Sequence, residues 1–415
     1  MIETDVLVIG GGVMGLWLLN DLRDRQYRAV LLEHRELGGD QTSHSPVYIH
    51  QGHMYNRRIE LARRLKALWP SWQSWLEEHG AEANVPSHFG FVSPGDAEER
   101  ERFWDEVGLS YRRVPIPPAL EGGLVKVACE TPEVCLSPRW LVAELSRKVM
   151  DSTCLVREIS HIDLDDTRTR VLRVEAIAAE GERLVVQPKA LVLAAGASNQ
   201  GLLELTAGGR RSLTGRMQHS QQVRGTHILV VKGEKTHLEP LTGVFPIHRG
   251  SLQIYTRDLG EQTVWLVADH RTKLIAFVED WIEYGSSWWL PDVVGLVSKF
   301  VPRCFAERER LRWGVYEAPK VEGSAGGEIP SEERVEQFGF RNLWVVWPTK
   351  LTLAPLASLA VLNELESVVS SPSTSGGLPL DWGGLRVEPP ITSERWERTP
   401  LLPWEEFSRS YLRRR

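Results

Sequence analysis

The hydrophobic pattern is informative from the first residues. DVLVI (residues 5–9) is a short apolar run of strand length. A glycine-rich turn follows, then the apolar helical stretch LWLLNDLRD and a second apolar run, RAVLLE. Strand, turn, helix and strand in that order predict a parallel α/β unit. NRRIELARRLKALWPSWQSWLEEHG spaces its apolar residues as an amphipathic helix. A break or kink is expected at Pro70, which removes a backbone donor. Residues 134–150 predict a helix entered through Ser137 and Pro138. KALVLAAGAS (189–198) reads as a buried strand running into a turn of small residues. SQQVRGTHILVV, TGVFPIHRG, SLQIYTRD and QTVWLVAD alternate with strand period and predict an antiparallel sheet. A helical stretch is expected from about 273 to 302, where that alternation stops. From residue 371 the chain turns to SSPSTSGGLPL, which predicts a linker or wrapping extension, and its basic end, YLRRR, reads as a solvated tail.

A chain of 415 residues exceeds one ordinary core, so two domains or a large insertion are expected. Charged residues are 25% and the net charge is −6, which does not point to a nucleic-acid surface. No apolar run approaches the roughly 20 residues that span a bilayer. The N-terminus carries acids where a secretory signal carries bases, so a cytoplasmic location is expected. The four cysteines, Cys129, Cys135, Cys154 and Cys304, form no CxxC pair and read as isolated buried thiols. Of the 16 tryptophans, Trp69, Trp72 and Trp75 recur at helical spacing and read as packing residues.

The first turn carries chemistry. GGGVMG places Gly10, Gly12 and Gly15 as G-x-G-x-x-G, with Val13 and Met14 opening the helix and Glu33 ending the second strand 18 residues after Gly15. Gly10 allows a tight turn. Gly12 lets the backbone approach a pyrophosphate lying on the helix N-terminus. Gly15 allows close helix–strand packing, and Glu33, followed by His34, accepts from ribose hydroxyls. The dinucleotide could be NAD or FAD. The second small-residue turn, with Ala195 and Gly196, favours FAD, because the chain re-enters the nucleotide domain close to the cofactor. An ordinary strand–turn–helix of a parallel sheet is the plain alternative for that segment.

These turns, with the late segment WVVWPTKLTLAP, resemble the FAD-dependent D-amino-acid oxidase/glycine oxidase superfamily (the DAO family) over nearly all of residues 1–370. TSHSPVYIHQGHMY resembles the loop of L-2-hydroxyglutarate oxidases and FAD-dependent glycerol-3-phosphate dehydrogenases that wraps the cofactor. The resemblance implies that Thr42, Ser43, His44 and Ser45 sit on FAD, held non-covalently, and that Ile49–Gly52 pass near the flavin ring. It also implies a helix N-terminus at Lys350, Leu351 and Thr352 aimed at the flavin N1–C2=O edge. Lysine replaces the usual glycine there. Its side chain either adds a positive charge beside N1 or points to solvent while its backbone N–H meets the flavin. RWGVYEAPKVEG (312–323) resembles the strand that brings a carboxylate-binding arginine over the flavin in many members. Tyr316 stands near that position, which puts the usual carboxylate clamp in doubt.

The fold expected is α/β (α+β overall), with a Rossmann-like FAD-binding domain and a discontinuous antiparallel-sheet substrate domain forming a roof over the flavin. The first takes residues 1–80, 138–210 and 333–370, the second 81–137 and 211–332, and 371–415 form the extension. Such an enzyme removes a hydride from a C–H bond beside an amine or hydroxyl of a small polar metabolite (an amino acid, amine or 2-hydroxy acid), then passes electrons to oxygen, a quinone or a protein. Candidate bases and pocket residues are His50, His53 and Tyr55 from the loop, His248 and Arg249 between two roof strands, and Tyr255 and Tyr316. The bland reading of each histidine is a surface or capping residue, and Arg249 beside Gly250 fits an exposed hairpin. The Thr/Ser-His loop leans towards hydroxy acids. The loop histidines lack metal-ligand spacing and an acidic partner in the stretch, so no metal is expected. The alternative function is a flavin-binding subunit that relays electrons within a larger assembly.

Overall fold

The computed structural model describes all residues except 56–57, 82–84, 208–220, 248–249, 270–277, 324–331, 349, 370–380 and 413–415. The described chain clusters into two compact units. One comprises Met1–Ser43, Pro138–Val223 and Val321–Ser393; the other comprises His44–Ser137, Arg224–Lys320 and Glu394–Arg415.

The first unit is built on β1 (Ile2–Ile9), α1 (Val13–Asp24) and β2 (Ala29–Glu33). β1 pairs in parallel with β2 on one side and with Arg183–Leu193 on the other. Leu343–Trp347 extends the parallel order beyond Arg183–Leu193, and Thr153–Leu164 extends it beyond β2. Ile9 lies opposite both Leu193 and Leu32, and Leu193 lies opposite Val345. Four strands therefore end in one row, and the segments that follow them leave the same edge of the sheet. Their apolar runs are continuous, not alternating, because both faces of these strands are buried. α1 buries Val13, Leu16, Leu18, Leu19 and Leu22 and packs against the helices Ala354–Leu365 and Pro138–Arg147.

The second unit contains a nine-stranded sheet. Its centre is Gln221–Glu234, Gln262–Asp269, Gly250–Leu259 and Thr242–Ile247, as the alternation predicts. Leu229, Val231, Ile254, Trp265 and Val267 face one way and share a core with Leu290, Val293, Val297 and Phe300 of the helix Val278–Phe300. Ile228, Val230, Tyr255, Val264 and Leu266 face the other way and pack with Tyr48, Phe89, Trp104 and Tyr316. Residues one apart along a strand thus serve two different cores.

The structure sharpens three expectations. The helix Ile59–Glu78 runs through Pro70 without a break. Leu61, Leu65 and Leu68 before the proline and Trp72 and Leu76 after it are all buried, and that shared stripe outweighs one missing hydrogen bond. Residues 44–80 cluster with the sheet unit, not with the nucleotide-binding unit. Tyr48–Ile49 pair with Val134–Cys135 and tie the loop there. The described residues of the C-terminal segment pack onto the fold, as the wrapping-extension alternative expects, while Tyr411 of its basic end is exposed and residues 413–415 lie outside the described residues. Trp382 joins the first unit's core, Leu402–Pro403 pair with Arg312–Trp313, and Phe407 is fully buried. Its Ser/Gly/Pro start hid the apolar anchors that follow. Among the described residues, no helix is long and apolar enough to cross a membrane.

Phe407→Ala is expected to destabilise the second unit by about 3–5 kcal/mol, the range for deleting a fully enclosed aromatic. Denaturant titration followed by tryptophan fluorescence measures this, and an unchanged midpoint would place residues 394–412 outside the core.

Candidate active site

The row of strand ends in the first unit forms a cradle of backbone. Gly10 has φ +111°, and a Cβ on it would stand 2.7 Å from the Ala194 oxygen and from Ala195 Cα. The first glycine turn and the LVLAAGAS turn are therefore in backbone contact, although 184 residues separate Gly10 from Ala194. A Cβ on Gly15 would stand 1.9 Å from the Gly10 oxygen, so the helix can start this close to the turn only with glycine there. Gly12 differs. A Cβ there would meet only Thr42 Oγ1, at 3.6 Å. Among the described residues, no atom requires glycine at position 12, and the space its missing side chain leaves is open. Gly12 caps α1 without a side-chain hydrogen bond, and the first turn, beginning at Val13 and Met14, holds no acidic residue. A helix N-terminus whose cap residue is an open glycine suits a pyrophosphate. These residues fit the phosphates of a dinucleotide.

Other predicted cofactor residues are placed with more internal partners than expected. Glu33 accepts from Gly11 N at 2.7 Å through Oε2, and from His34 N and Arg35 N at 2.7 and 2.9 Å through Oε1. It shapes the turn first, and a ribose would add to these bonds. Thr42 Oγ1 accepts from Val13 N at 3.3 Å. Ser43 Oγ donates to the Gly39 and Asp40 carbonyls, both at 3.0 Å, so its hydroxyl closes its own short helix instead of reaching outward. Ala195 N donates to Asn199 Oδ1 at 2.8 Å, and Gly196 follows with φ +55°. Leu351 and Thr352 open the last helix of this unit, with Lys350 as its cap residue and no acidic residue in the first turn. The Lys350 ammonium lies 2.6 Å from Glu322 Oε1, with side-chain exposures of 7% and 2%. The side chain does not point to solvent: it is buried, and a buried carboxylate partners it. Glu322 was not singled out, although it closes the RWGVYEAPKVEG segment.

In the second unit the loop after His44 is organised by a carboxylate absent from the candidate residues, Glu133. Its Oε2 accepts from the Tyr48 hydroxyl at 2.6 Å, and Tyr48 also meets Ser87 Oγ. Its Oε1 accepts from Gln51 N at 2.9 Å and faces His53 Nδ1 at 2.8 Å. His53 Nε2 lies 3.0 Å from the Ser110 carbonyl. Both ring nitrogens of His53 thus face oxygen acceptors. The pair is satisfied only if it holds the shared proton, as imidazolium with carboxylate or as imidazole with carboxylic acid. Burial alone would raise the Glu133 pKa; His53, His50 and Tyr48 outweigh it and hold the carboxyl below its ordinary range. Burial, then Glu133, pushes the Tyr48 phenol well up. His53 is fully enclosed, packed edge-on against Trp104 at 5.0 Å. This placement makes it a buried anchor instead of a base that meets substrate. His50 lies between Tyr48 and Tyr55, with ring centroids at 6.0 and 5.5 Å, and Tyr55 is half-buried.

Tyr255 shares a strand face with Gln253 and Arg257, two residues to either side. Its hydroxyl donates to Gln253 Oε1, and its ring lies 5.1 Å from Tyr48. Tyr316 donates to the His44 carbonyl at 3.3 Å. Burial raises the pKa of both phenols. Arg257, also missed, is buried and uses three nitrogens on three partners. Nε donates to Glu394 at 2.6 Å, Nη2 to the Pro46 carbonyl at 2.9 Å, and Nη1 lies 2.9 Å from Cys135 Sγ. Cys135 is therefore half-buried and partnered, not an isolated buried thiol. The signal was available: Arg257 is two residues from Tyr255 in an alternating strand. Ser45 Oγ accepts from Val47 N at 3.1 Å, and Val47 holds φ +51°, a conformation that costs a β-branched residue about 1–3 kcal/mol. His248 and Arg249 lie outside the described residues. Among the described residues, no group of three or more His, Cys, Asp or Glu is placed to hold a metal ion.

Comparison with known proteins agrees with the cradle. The chain matches the family described as FAD dependent oxidoreductase (DAO) over residues 5–357. It is 26% identical over 417 residues to a probable FAD-dependent oxidoreductase of Pseudomonas aeruginosa, covering 95% of this chain and 98% of that protein. The crystal structure of an FAD-dependent oxidoreductase from Pseudomonas aeruginosa matches with TM-score 0.70 and 22% identity, over 96% of this chain and 98% of that one. L-proline dehydrogenase from P. horikoshii matches with TM-score 0.62 and 15% identity, over 99% and 100%. Glycine oxidase from Geobacillus kaustophilus matches with TM-score 0.59 and 17% identity, over 88% and 95%. The solved structures share the fold.

Two predictions follow from the geometry. Gly12→Ala should change fold stability by no more than about 1 kcal/mol yet weaken FAD binding about tenfold or more. Gly10→Ala should destabilise the fold itself by about 2 kcal/mol or more. Thermal melts with and without added FAD separate the two, and equal destabilisation by both variants would contradict the open space at Gly12. For Glu133, a depressed folded pKa means stability that is present above the ordinary carboxylate range and lost as pH falls through the lower folded value. Glu133→Gln should lower stability at neutral pH by about 3 kcal/mol and flatten the acid limb of the stability–pH curve. An unaltered acid limb would remove Glu133 as its source.

Proposed function

The chain belongs to the DAO family of FAD-dependent oxidoreductases, and on that premise we propose that it oxidises the C–H bond beside the amine of a small amino acid or amine. The premise establishes the class of enzyme and the cofactor. FAD, when bound, supplies the two-electron acceptor; the chain supplies binding, orientation and the control of protons.

The observation that carries the amine reading is the placement of His53. Oxidising a hydroxyl calls for a base that takes the hydroxyl proton, and a histidine is the natural group. His53 has both nitrogens on internal acceptors and no exposure. An amine that binds in its neutral form carries its own lone pair and makes a smaller demand for such a base. The loop chemistry that leaned towards hydroxy acids is thereby weakened. Two relatives in fold have amino acids in their names, L-proline dehydrogenase and glycine oxidase, and this agrees with the proposal.

Among the described residues, the sheet carries two buried phenols and a guanidinium that is already paired. Tyr255 and Tyr316 stand on one face of the sheet, and the buried Arg257 is matched by Glu394. A substrate carboxylate is therefore not drawn to Arg257, in keeping with Tyr316 standing near the position of the family's usual arginine.

An anaerobic screen tests the reading. The FAD-loaded protein is mixed with amino acids, amines, 2-hydroxy acids and sugar acids, and loss of flavin absorbance is followed. Bleaching by an amine-bearing compound, faster as pH rises towards the amine's own pKa, is the expected result. Bleaching by 2-hydroxy acids with none by amines would overturn it. A flavin that bleaches only after a protein partner is added would point to the electron-relay alternative.

A further inference from the structure

The chain returns to the nucleotide-binding unit with residues 381–393. Trp382 Nε1 donates to the Asp151 carbonyl at 3.2 Å, and Arg386 Nε donates to the Thr153 carbonyl at 3.1 Å. Leu155 N donates to the Val387 carbonyl at 2.7 Å, and Leu155 lies opposite Glu33 in the sheet. The segment then meets the loop that follows Glu33. Leu37 N donates to the Pro390 carbonyl at 2.8 Å, and Thr392 N donates to the Leu37 carbonyl at 3.0 Å. Both backbone groups of Leu37 are thus met by residues 390–392, and Leu37 and Thr392 are fully enclosed.

The loop passes this placement on to the glycine turn. Gly38 N donates to the Gly11 carbonyl at 2.9 Å. Gly38 holds φ +74°, and a Cβ on it would stand 2.6 Å from Val142 Cγ2 and 3.2 Å from Thr392 Cγ2, so these two side chains flank its backbone. A Cβ on Gly11 would stand 2.5 Å from Leu37 Cδ2, so the Leu37 side chain lies against Gly11. The Gly11 carbonyl and the Gly12 N–H belong to one trans peptide group. A planar trans peptide points its carbonyl and its N–H in opposite directions. Whatever holds the Gly11 carbonyl therefore sets the direction of the Gly12 N–H, and Gly12 is the residue whose missing side chain leaves open space.

We infer that residues 390–392 are a positioning strap for the cofactor. Their backbone fixes Leu37, Gly38 then fixes the Gly11 carbonyl, and the Gly12 N–H keeps one orientation at the open space where phosphates fit. The whole relay lies within one compact unit. It rests on the family's FAD and on the fit of the glycine turn, not on the amine reading, so the two stand or fall separately.

The test follows FAD release from the holoprotein by the rise in flavin fluorescence, with the melting temperature of the FAD-free protein measured alongside. Thr392→Pro deletes the N–H that the Leu37 carbonyl accepts from and should speed release about tenfold, the scale of one lost hydrogen bond. Thr392→Val keeps that N–H and the bulk beside Gly38, losing only the hydroxyl 3.2 Å from Glu36 Oε1. Its release should return to within about twofold of wild type. Arg386→Leu loosens the same segment where it lies on the strand Thr153–Leu164, and should lower the melting temperature while release stays near the wild-type rate. Wild-type release from Thr392→Pro would overturn the inference. So would release that rises in all three variants in step with lost melting temperature, which would make the segment a support for stability alone. If Thr392→Pro does not accumulate, hydrogen exchange on the wild-type chain decides. By linkage, FAD should slow exchange in residues 385–392 about tenfold more than in residues 164–171 of the same unit. Equal slowing in both would overturn the relay.

Discussion

The close approach of Gly10 to Ala194 and Ala195 is the constraint on which the nucleotide-binding unit depends. A Cβ at position 10 would lie 2.7 Å from backbone atoms of the second turn, so no side chain of any kind fits. This approach lets β1 and Arg183–Leu193 end in register, Ile9 beside Leu193. Once those two strands end together, β2 and Leu343–Trp347 bring Glu33 and the Lys350 helix start to the same edge. The cradle is thus a consequence of strand register. Its polar side chains refine a place that backbone geometry has already made.

Much of this was legible from residue order. G-x-G-x-x-G after one strand and an acid after the next carry a local mechanism, and local mechanisms survive tertiary context. The alternation in the second unit was equally readable, since Leu229 and Ile228 must face opposite ways once the strand forms. What the sequence concealed are the partners that depend on distant pairing. Glu133 meets His53 across 80 residues and Arg257 meets Glu394 across 137. No periodicity links such positions. The loop histidines drew attention because they cluster in the chain, yet clustering in sequence does not say whether a ring faces a cavity or a carboxylate. At Pro70 the helix continues for a related reason: propensity is a local term of about 3 kcal/mol, and a buried stripe on both sides of the proline exceeds it.

The titratable groups share one arrangement. Lys350 is matched by Glu322, His53 by Glu133 and Arg257 by Glu394, each pair buried and within 2.8 Å. Such pairs add little net stability, because desolvation offsets most of the attraction, whereas losing one partner leaves a charge stranded. Their value lies in direction. A guanidinium or carboxylate with a fixed partner points its remaining hydrogen bonds one way. Two of the pairs stand beside unusual backbone, Glu133 beside Gly52 with φ +105° and Arg257 beside the left-handed Val47.

This arrangement bears on what the enzyme can recognise. A cation already matched inside the protein attracts a substrate anion weakly, since the incoming carboxylate would have to displace an internal one that is held at lower entropic cost. Arg257 has its Glu394, and Lys350 has its Glu322. The neighbouring phenols are engaged in the same way, Tyr255 donating to Gln253 and Tyr316 to the His44 carbonyl. Hydrogen bonds of this kind discriminate by shape and by donor count, not by charge. On the amine reading proposed above, selection would then rest on shape and donor count instead of on a carboxylate clamp.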